Sequence, residues 1–320
     1  MEINQRVVIT GATSIIGIPL IKKLLEQNYK VYAVMRPNST NAGKLKALTC
    51  KNLEVIELDL KDGMQLINYI KGEVDICVHL GWEGAGSENR KKREVQQENV
   101  QSSMIILKAC EDLKCKRFIF SGSQAEYGQC VDVMQEDMHC SPVSEYGKAK
   151  VDFMNQALAY LKYTNTPAKM QYIHMRIFSI YGTDDHENSL INSCIRSFLE
   201  EKEVALGKCE HMWNYLYITD LINAFMALIT MENYQDMFLV YNIAGEEKET
   251  KPLKEYVQQI YASCGNKGKY LLGARVENAE GANNLVPDIT KIMHATGWKP
   301  EISFTEGIRQ ILEQRRNRNV

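Results

Sequence analysis

The segment from Val7 to Gly17 constrains the fold more than any other stretch of this 320-residue chain. Val7-Val8-Ile9 is a short β-branched run of the kind found in buried parallel strands. The sequence TGATSIIG follows directly, and an apolar pattern with helical spacing begins at Ile18. A strand, a glycine-bearing turn and a helix in this order place free backbone N–H groups and the positive end of a helix dipole at the turn. The segment therefore predicts a dinucleotide-binding turn at the start of a parallel α/β sheet.

The glycine pattern of this turn is incomplete, because Ser14 stands at its middle position. Serine is small and its hydroxyl group can contact a phosphate, so the sequence favours a dinucleotide site, with a merely structural turn as the alternative. The expected cofactor contacts in the turn are Gly11, Thr13, Ser14, Ile15, Ile16 and Gly17.

The second predicted strand ends without the acidic residue that would bind the adenosine ribose of NAD. Arg36 follows the strand, with Asn38 and Ser39 close behind, and a guanidinium beside a hydroxyl suits a 2′-phosphate. The sequence thus favours NADP over NAD, with an exposed loop arginine as the alternative interpretation. Asp59 ends the third predicted strand and is expected to accept a hydrogen bond from the adenine amino group.

Two further predicted strands end in residues suited to a ligand site. The fourth, residues 74–82, contains Gly81, whose small size would let a cofactor approach closely, and His79, which we interpret as a structural histidine. The fifth, residues 116–120, leads into Ser123. Hydroxyl groups at the carboxyl ends of parallel strands lie where ligands bind in open α/β sheets, so Ser123 is a candidate site residue.

Tyr146 and Lys150 are four residues apart at the start of a periodic apolar segment, and in a helix they would share one face. An ammonium about 4 Å from a phenol contributes roughly 4 kcal/mol at an effective dielectric of 20, or about three pK units before screening. A tyrosine so placed can exchange a proton near neutral pH. A surface tyrosine packed on a lysine stem explains an isolated YxxxK equally well, so the function depends on the other motifs.

Six segments in order resemble the extended short-chain dehydrogenase/reductase family: TGATSIIG, SGSQAEYG, YGKAK, RIFSIYG, WNYLYITD and TGWKP. The resemblance spans nearly the whole chain. It implies an α/β fold, a doubly wound parallel sheet of the Rossmann type with a smaller C-terminal substrate domain. Residues 1–175 with 210–245 would form the NADP-binding domain, and residues 176–209 with 246–320 the substrate-binding domain.

The resemblance also assigns roles to residues. Tyr146 would be the catalytic acid/base, Lys150 would lower its pKa and bind the nicotinamide ribose, and Ser123 would hydrogen-bond the substrate oxygen. The further cofactor contacts that it implies are Leu60, Leu80, Gly81 and Ile177. The implied substrate contacts are Trp82, Ser123, Gln124, Phe178, Ser179 and Trp213.

Departures from the family pattern indicate the reaction. Family dehydratases carry acidic residues directly after the hydroxyl residue, whereas this chain has Gln124 and Ala125 there, with Glu126 one place too late. The cysteine and histidine of the bifunctional epimerase-reductases have no counterparts at matching positions. Ser179 and Trp213 replace the family's usual asparagine and arginine, which leaves the residues that bind the substrate diphosphate unassigned.

The sequence therefore predicts an NADPH-dependent ketoreductase that acts on a nucleotide-linked 4-keto-6-deoxy sugar. The alternative within the family is an NAD-dependent nucleotide-sugar 4-epimerase. A reductase of small carbonyl compounds stays open because of the Ser179 and Trp213 departures. The alternative of another class is a non-catalytic NADP-binding sensor or scaffold protein.

Composition limits the partners and the compartment. The formal net charge of −2 indicates no general binding of nucleic acid. Nine cysteines without CxxC or alternating Cys/His spacing predict reduced thiols and no metal site. No apolar run approaches membrane-spanning length, and the start lacks a signal peptide, so we expect a cytoplasmic protein with no membrane partner. The resemblance suggests a homodimer through the helices at 95–113 and 146–161.

Overall fold

The computed structural model describes residues 5–86, 88–163, 169–232, 235–275 and 283–318. The chain divides into two compact units. Unit 1 comprises Met1–Gly128, His139–Arg176 and Phe225–Tyr241, and unit 2 comprises Gln129–Met138, Ile177–Ala224 and Asn242–Val320. Within the described ranges, no helix is both long and apolar enough to cross a membrane.

Helices and strands alternate through the first half of the chain. The elements are β1 (Arg6–Thr10), α1 (Gly17–Glu26), β2 (Lys30–Met35), α2 (Ala42–Lys46), β3 (Leu53–Glu57), α3 (Leu66–Tyr69), β4 (Ile76–His79), α4 (Arg93–Asp112), β5 (Arg117–Ser123) and α5 (Glu145–Tyr163). The second half contains β6 (Gln171–Ile177), β7 (Ser179–Tyr181), α6 (Leu190–Leu199), β8 (Glu203–Ala205), β9 (Met212–Trp213), β10 (Tyr215–Tyr217), α7 (Ile218–Thr230), β11 (Phe238–Ile243), β12 (Lys251–Pro252), α8 (Leu253–Ser263), β13 (Lys269–Leu271), α9 (Thr290–Thr296) and α10 (Phe304–Arg318).

The main sheet has seven strands in the order β11-β6-β5-β4-β1-β2-β3. The pairs β1–β2, β2–β3, β1–β4 and β4–β5 are parallel. The chain runs outward from β1 to β3 and then crosses back to β4, so the strand order reverses between β1 and β4. The predicted doubly wound parallel sheet is confirmed, and ligands of such sheets bind at the carboxyl ends of the strands beside this reversal.

The central strand shows why this sequence forms a buried sheet. Val7, Val8 and Ile9 of β1 are fully buried, as expected for a parallel strand with helices on both faces. Leu20 and Leu24, one turn apart on α1, are also fully buried. Burial of each such side chain stabilises the fold by about 1.5–3 kcal/mol.

Unit 2 has an aromatic core. The rings of Tyr181 and Tyr256 lie 5.1 and 4.6 Å from that of Phe304 at the start of α10. The buried carboxylate of Asp220 on α7 accepts hydrogen bonds from the backbone N–H groups of Glu301 and Ile302, at 3.1 and 2.9 Å. This carboxylate ties the segment after α9 to α7, which explains how the TGWKP segment contributes to the fold.

Candidate active site

The glycine turn between β1 and α1 is tightly packed. Gly11 has φ +64°, and a Cβ atom at this position would lie 2.7 Å from the backbone nitrogen of Gly81. The Ser14 hydroxyl accepts a hydrogen bond of 3.0 Å from the N–H of Gly17, the first residue of α1. Ser14 therefore caps the helix and keeps its own hydroxyl proton for donation. A close-packed glycine turn at the start of a ten-residue helix fits the diphosphate of a dinucleotide.

The loop after β2 is fastened to this turn. The hydroxyl groups of Thr13 and Ser39 lie 2.8 Å apart, and the Asn41 side chain donates a hydrogen bond to the Thr13 carbonyl. Arg36 has a side-chain exposure of 63% and forms a 3.7 Å ion pair with the equally exposed Glu83. Exposed pairs of this kind are weak, so the Arg36 guanidinium can contact an added phosphate at little cost.

Asp59 and Gly81 each lie two residues after the last residue of a strand, since β3 ends at Glu57 and β4 ends at His79. β3 is shorter than predicted. Asp59 lies just before a 3₁₀ helix over Leu60–Gln65, and its carboxylate accepts a 3.1 Å hydrogen bond from the N–H of Lys61. A Cβ atom at Gly81 would lie 2.5 Å from Leu60 Cδ1, and Leu80 is buried. The structure thus brings Leu60, Leu80 and Gly81 together beside the glycine turn, whereas Asp59 caps a helical turn.

His79 is a structural residue, as predicted. Its Nδ1 atom lies 2.6 Å from Thr10 Oγ1, and its Nε2 atom lies 2.9 Å from Ser103 Oγ. Thr10 Oγ1 also accepts a hydrogen bond from the N–H of Gly81. Burial, assisted by the charge of Lys150, lowers the pKa of His79 to about 3. The ring therefore stays neutral and joins β1, β4 and α4.

The end of β5 and the start of α5 are packed against each other. The Ser123 hydroxyl accepts a hydrogen bond of 3.2 Å from the N–H of Ala125, which opens a 3₁₀ turn over Gln124–Glu126. A Cβ atom at Gly147 would lie 2.4 Å from the Ala125 carbonyl oxygen. The residue after Tyr146 must therefore be a glycine, and this contact holds Ser123 and Tyr146 on neighbouring segments.

Lys150 lies one turn after Tyr146 and is almost fully buried, at 2% exposure. Its ammonium donates a 2.8 Å hydrogen bond to the Ser121 carbonyl. The Nζ atom lies 3.7, 4.5 and 5.5 Å from the ring centroids of Trp82, Phe120 and Tyr146. Burial lowers its pKa well below the usual value, and the charge of Glu126 partly opposes this. The ammonium is held by aromatic faces, which attract cations.

Arg90 lies over Tyr146, with its Cζ atom 4.3 Å from the centroid of the phenol ring. The loop that carries Arg90 is held by Gln96, which accepts a hydrogen bond from Trp82 Nε1 and donates one to the carbonyl of Asn89. Tyr146 therefore has two cations close to its ring, Arg90 and Lys150. No residue spacing in the sequence indicates the contact between Arg90 and Tyr146.

Glu126 is fully buried beneath Ser123. Its carboxylate accepts hydrogen bonds from the Ser123 N–H at 2.7 Å, from His174 Nε2 at 2.8 Å and from Arg176 Nε at 3.1 Å. Burial alone would raise the pKa of Glu126, but His174, Arg176 and the Ser123 N–H hold it below the usual value. Glu126 is thus an ionised structural group that is closed to a substrate.

The remaining predicted contacts lie in unit 2. Ile177 ends β6, and Phe178 donates a backbone hydrogen bond of 2.9 Å to Ile243. Ser179 opens β7, which pairs with β10. Trp213 lies in β9, and its buried Nε1 atom has no hydrogen-bond partner in the described part of the chain. Their contact with a ligand stays a prediction.

Comparison with known proteins gives a family match that covers most of the chain. The NAD dependent epimerase/dehydratase family matches residues 7–244. Among curated proteins, the dTDP-4-dehydro-6-deoxyglucose reductase of Escherichia coli is 24% identical over 318 residues, which cover 96% of each chain.

Solved structures of similar proteins share the fold over the full chain. The UDP-glucose 4-epimerase of Thermotoga maritima, solved with UDP-glucose, has a TM-score of 0.83 at 21% identity, with 98% of this chain and 100% of that chain covered. The dTDP-glucose 4,6-dehydratase of Bacillus anthracis, solved with NAD, has a TM-score of 0.82 at 20% identity, with 98% and 97% covered. Proteins of one fold thus catalyse different reactions, so the site residues must distinguish among them.

Proposed function

The chain belongs to the NAD dependent epimerase/dehydratase family, and on that basis we propose that it is an NADPH-dependent ketoreductase that acts on a nucleotide-linked 4-keto-6-deoxy sugar. The family assignment confirms the predicted class of enzyme, an NAD(P)-dependent oxidoreductase or epimerase. The cofactor form, the sugar and the direction of the reaction are the proposal.

One observation supports this reaction above the others: at the described positions directly after Ser123, where family dehydratases carry acidic residues, the site offers no accessible carboxylate. Gln124 and Ala125 follow Ser123, and the nearby carboxylate of Glu126 is buried and held by His174 and Arg176. Dehydration needs a base that removes a proton from carbon and an acid that protonates the leaving hydroxyl. This set of residues suits protonation of a carbonyl oxygen instead.

Each of three residues has a distinct part in that reaction. Tyr146 donates the proton that converts the carbonyl oxygen into a hydroxyl. Ser123 donates a hydrogen bond to the same oxygen as negative charge develops on it. The cations at Lys150 and Arg90 stabilise the phenolate that Tyr146 becomes. When bound, the reduced nicotinamide supplies the hydride that the carbonyl carbon receives.

The position of Arg36 supports NADPH over NAD. Its guanidinium is exposed, its ion pair with Glu83 is weak, and Ser39, three residues later, contacts Thr13 of the glycine turn. A charge-assisted hydrogen bond to a 2′-phosphate is worth about 1.5–3 kcal/mol. Arg36→Ser should therefore weaken NADPH binding by about 10- to 100-fold and leave NADH binding within about threefold, in a fluorescence titration. Lys51→Ser, at an exposed lysine, is the control, and equal losses for both cofactors would contradict the proposal.

The second candidate is a 4-epimerase, because the same hydroxyl and ammonium groups can oxidise and re-reduce one carbon. The likeness to the epimerase from T. maritima keeps this alternative open. An epimerase would convert a nucleotide hexose without net consumption of cofactor and would retain NAD through dialysis. The sensor or scaffold alternative is disfavoured because Ser123, Tyr146 and Lys150 are all present.

The decisive experiment is to incubate the protein with NADPH and a panel of nucleotide 4-keto-6-deoxy sugars while NADPH absorbance is followed. We expect oxidation with at least one sugar and its loss in Tyr146→Phe. Tyr163→Phe, at an exposed tyrosine of the same helix, should retain full activity. Absence of NADPH oxidation with every sugar, while the cofactor binds, would rule out the ketoreductase.

We also propose that the protein works in the cytoplasm as a homodimer through α4 and α5. These two helices pack along each other next to the sheet, and paired helices commonly form four-helix contacts in symmetric dimers. Light scattering coupled to size-exclusion chromatography should give twice the 36.6 kDa mass of the chain, and a monomeric mass would contradict it.

A further inference from the structure

Gln124 has a buried amide oxygen for which the described residues supply no hydrogen-bond donor. The residue lies directly after Ser123 and is more than nine-tenths buried, at 9% exposure. Its Oε1 atom is buried, and no hydrogen-bond partner for it exists among the described residues. Buried side-chain amides in folded proteins are almost always hydrogen-bonded. The amide oxygen is therefore open to a hydrogen-bond donor that the described part of the chain does not supply.

The position of Gln124 limits what that partner can be. Ser123 caps the 3₁₀ turn, and Gln124 is the first residue of that turn. The turn packs on Gly147, the neighbour of Tyr146. Ser123 and Tyr146 contact the reacting oxygen in the proposed reaction. Ser123 precedes Gln124 in the sequence, and Tyr146 lies next to the glycine on which the turn packs. Gln124 is therefore the buried, unpartnered amide nearest in sequence to Ser123, and the substituents beside the reacting carbonyl are the first candidates for its partner.

The chemistry of the amide selects the substituent. An amide offers one acceptor oxygen and two donor hydrogens, so it matches a hydroxyl group, which both donates and accepts. In a 4-keto-6-deoxy sugar, the carbons beside the carbonyl are C3, which carries a hydroxyl, and C5, which carries the methyl group. Of the substituents on these two carbons, only the C3 hydroxyl can donate a hydrogen bond to the amide oxygen.

We propose that Gln124 is a specificity-determining residue that hydrogen-bonds the C3 hydroxyl of the sugar, next to the carbonyl that is reduced. The inference rests on the proposed ketoreductase function and adds a requirement to it. The site accepts sugars with a hydroxyl at C3 and rejects the 3-deoxy analogues, because those leave the buried carbonyl oxygen of Gln124 unsatisfied.

The test measures kcat/KM of wild type and of Gln124→Met with two substrates, a 3-hydroxy and a 3-deoxy nucleotide 4-keto sugar. The variant keeps the length of the side chain and removes the amide. Wild type should prefer the 3-hydroxy sugar by about 10- to 100-fold in kcat/KM. In Gln124→Met, the preference should fall below about threefold, because turnover of the 3-hydroxy sugar decreases while that of the 3-deoxy sugar is retained. Gln156→Met, at an exposed glutamine on α5, should behave as wild type.

Thermal unfolding separates this role from a structural one. If the amide has no partner in the protein, Gln124→Met should unfold at the same or a higher temperature than wild type, since an unsatisfied buried carbonyl is removed. A clear fall in Tm, or equal losses of kcat/KM on both sugars, would show that Gln124 supports the fold and would overturn the proposal.

Binding experiments distinguish failure of this inference from failure of the proposed function. The cofactor-loaded protein is titrated calorimetrically with the 4-hydroxy form of each nucleotide sugar, which cannot accept a hydride. A preference for the 3-hydroxy form that is lost in Gln124→Met supports the subsite even if no 4-keto sugar is turned over. Equal binding of both forms, or binding of neither, overturns the subsite whatever the outcome of the NADPH assay.

Discussion

Glu126 and Lys150 are both buried charges of unit 1, yet the fold surrounds them differently. Glu126 accepts hydrogen bonds from Ser123, His174 and Arg176. Lys150 donates one hydrogen bond to a carbonyl and otherwise faces aromatic rings. Among the described residues, no carboxylate forms an ion pair with Lys150, whereas two nitrogen-bearing side chains contact Glu126.

The difference indicates which charge serves the fold and which serves a reaction. A buried charge costs several kcal/mol unless it is paired and hydrogen-bonded. Glu126 meets this condition, and removal of the carboxylate would leave Arg176 uncompensated. Lys150 does not meet it, so its burial opposes stability. Groups kept in unfavourable surroundings and with a strongly displaced pKa are concentrated at functional sites.

Lys150→Met should have the largest effect, because it removes the proposed reaction without weakening the fold. We expect kcat/KM in the NADPH assay to fall by about 10²- to 10⁴-fold, the usual contribution of acid–base catalysis. The free energy of unfolding in urea should stay equal or rise, since methionine fills similar space without a charge.

The matched control is Lys148→Met. Lys148 lies two residues earlier on α5 and pairs with Glu145 at the surface, so both activity and stability should change little. A Lys150→Met variant that loses several kcal/mol of stability would contradict the view that this charge opposes folding.

Glu126→Gln should have the opposite result. Loss of the carboxylate leaves the buried Arg176 guanidinium uncompensated, and we expect the free energy of unfolding to fall by about 3–5 kcal/mol. Urea denaturation measures the change. Glu73→Gln, which disrupts an exposed pair with Lys114, is the control and should cost less than about 1 kcal/mol. Similar losses of unfolding free energy in the two variants would show that Glu126 contributes no more than an ordinary surface ion pair does.

Local patterns in the sequence predict much of the fold and part of the site. The β-branched run of β1, the glycine turn and the helix α1 form from neighbouring residues, and the structure places them as predicted. Tyr146 and Lys150 lie on one helix, where spacing alone sets their relation. β4, however, ends at His79 rather than residue 82, because the N–H of Gly81 turns to the Thr10 hydroxyl.

Contacts between distant segments could not be predicted from spacing. Glu126 meets His174 and Arg176, which are 48 and 50 residues later in the chain, only because β5 and β6 are neighbours in the sheet. Arg90 reaches Tyr146 only because Gln96 fixes the intervening loop. The orphan amide of Gln124 likewise depends on packing, since the sequence shows its identity but not its hydrogen bonds.

Low pH should reduce the difference in stability between the wild type and the Glu126→Gln variant. The pKa of Glu126 is lower in the fold than the value near 4.3 of an unfolded chain. Its ionised form therefore stabilises the fold above about pH 4.3, and this contribution is lost as the pH falls through the folded-state pKa. Urea midpoints of wild type and Glu126→Gln, measured from pH 7 downwards, should converge. A gap that stays constant with pH would mean that the charge of Glu126 is not the stabilising feature.

The smallest expected effect tests whether the aromatic rings hold Lys150. Trp82 is the half-buried ring and lies 3.7 Å from Nζ, so Trp82→Leu removes the closest cation–π contact. A double-mutant cycle of Trp82→Leu with Lys150→Met should give a coupling energy of about 0.5–2 kcal/mol in urea unfolding. The same cycle with Lys148→Met should give none, because that lysine is at the surface. A coupling of zero in the first cycle would mean that the rings only fill space, and Lys150 would then be a buried cation held by the Ser121 carbonyl alone.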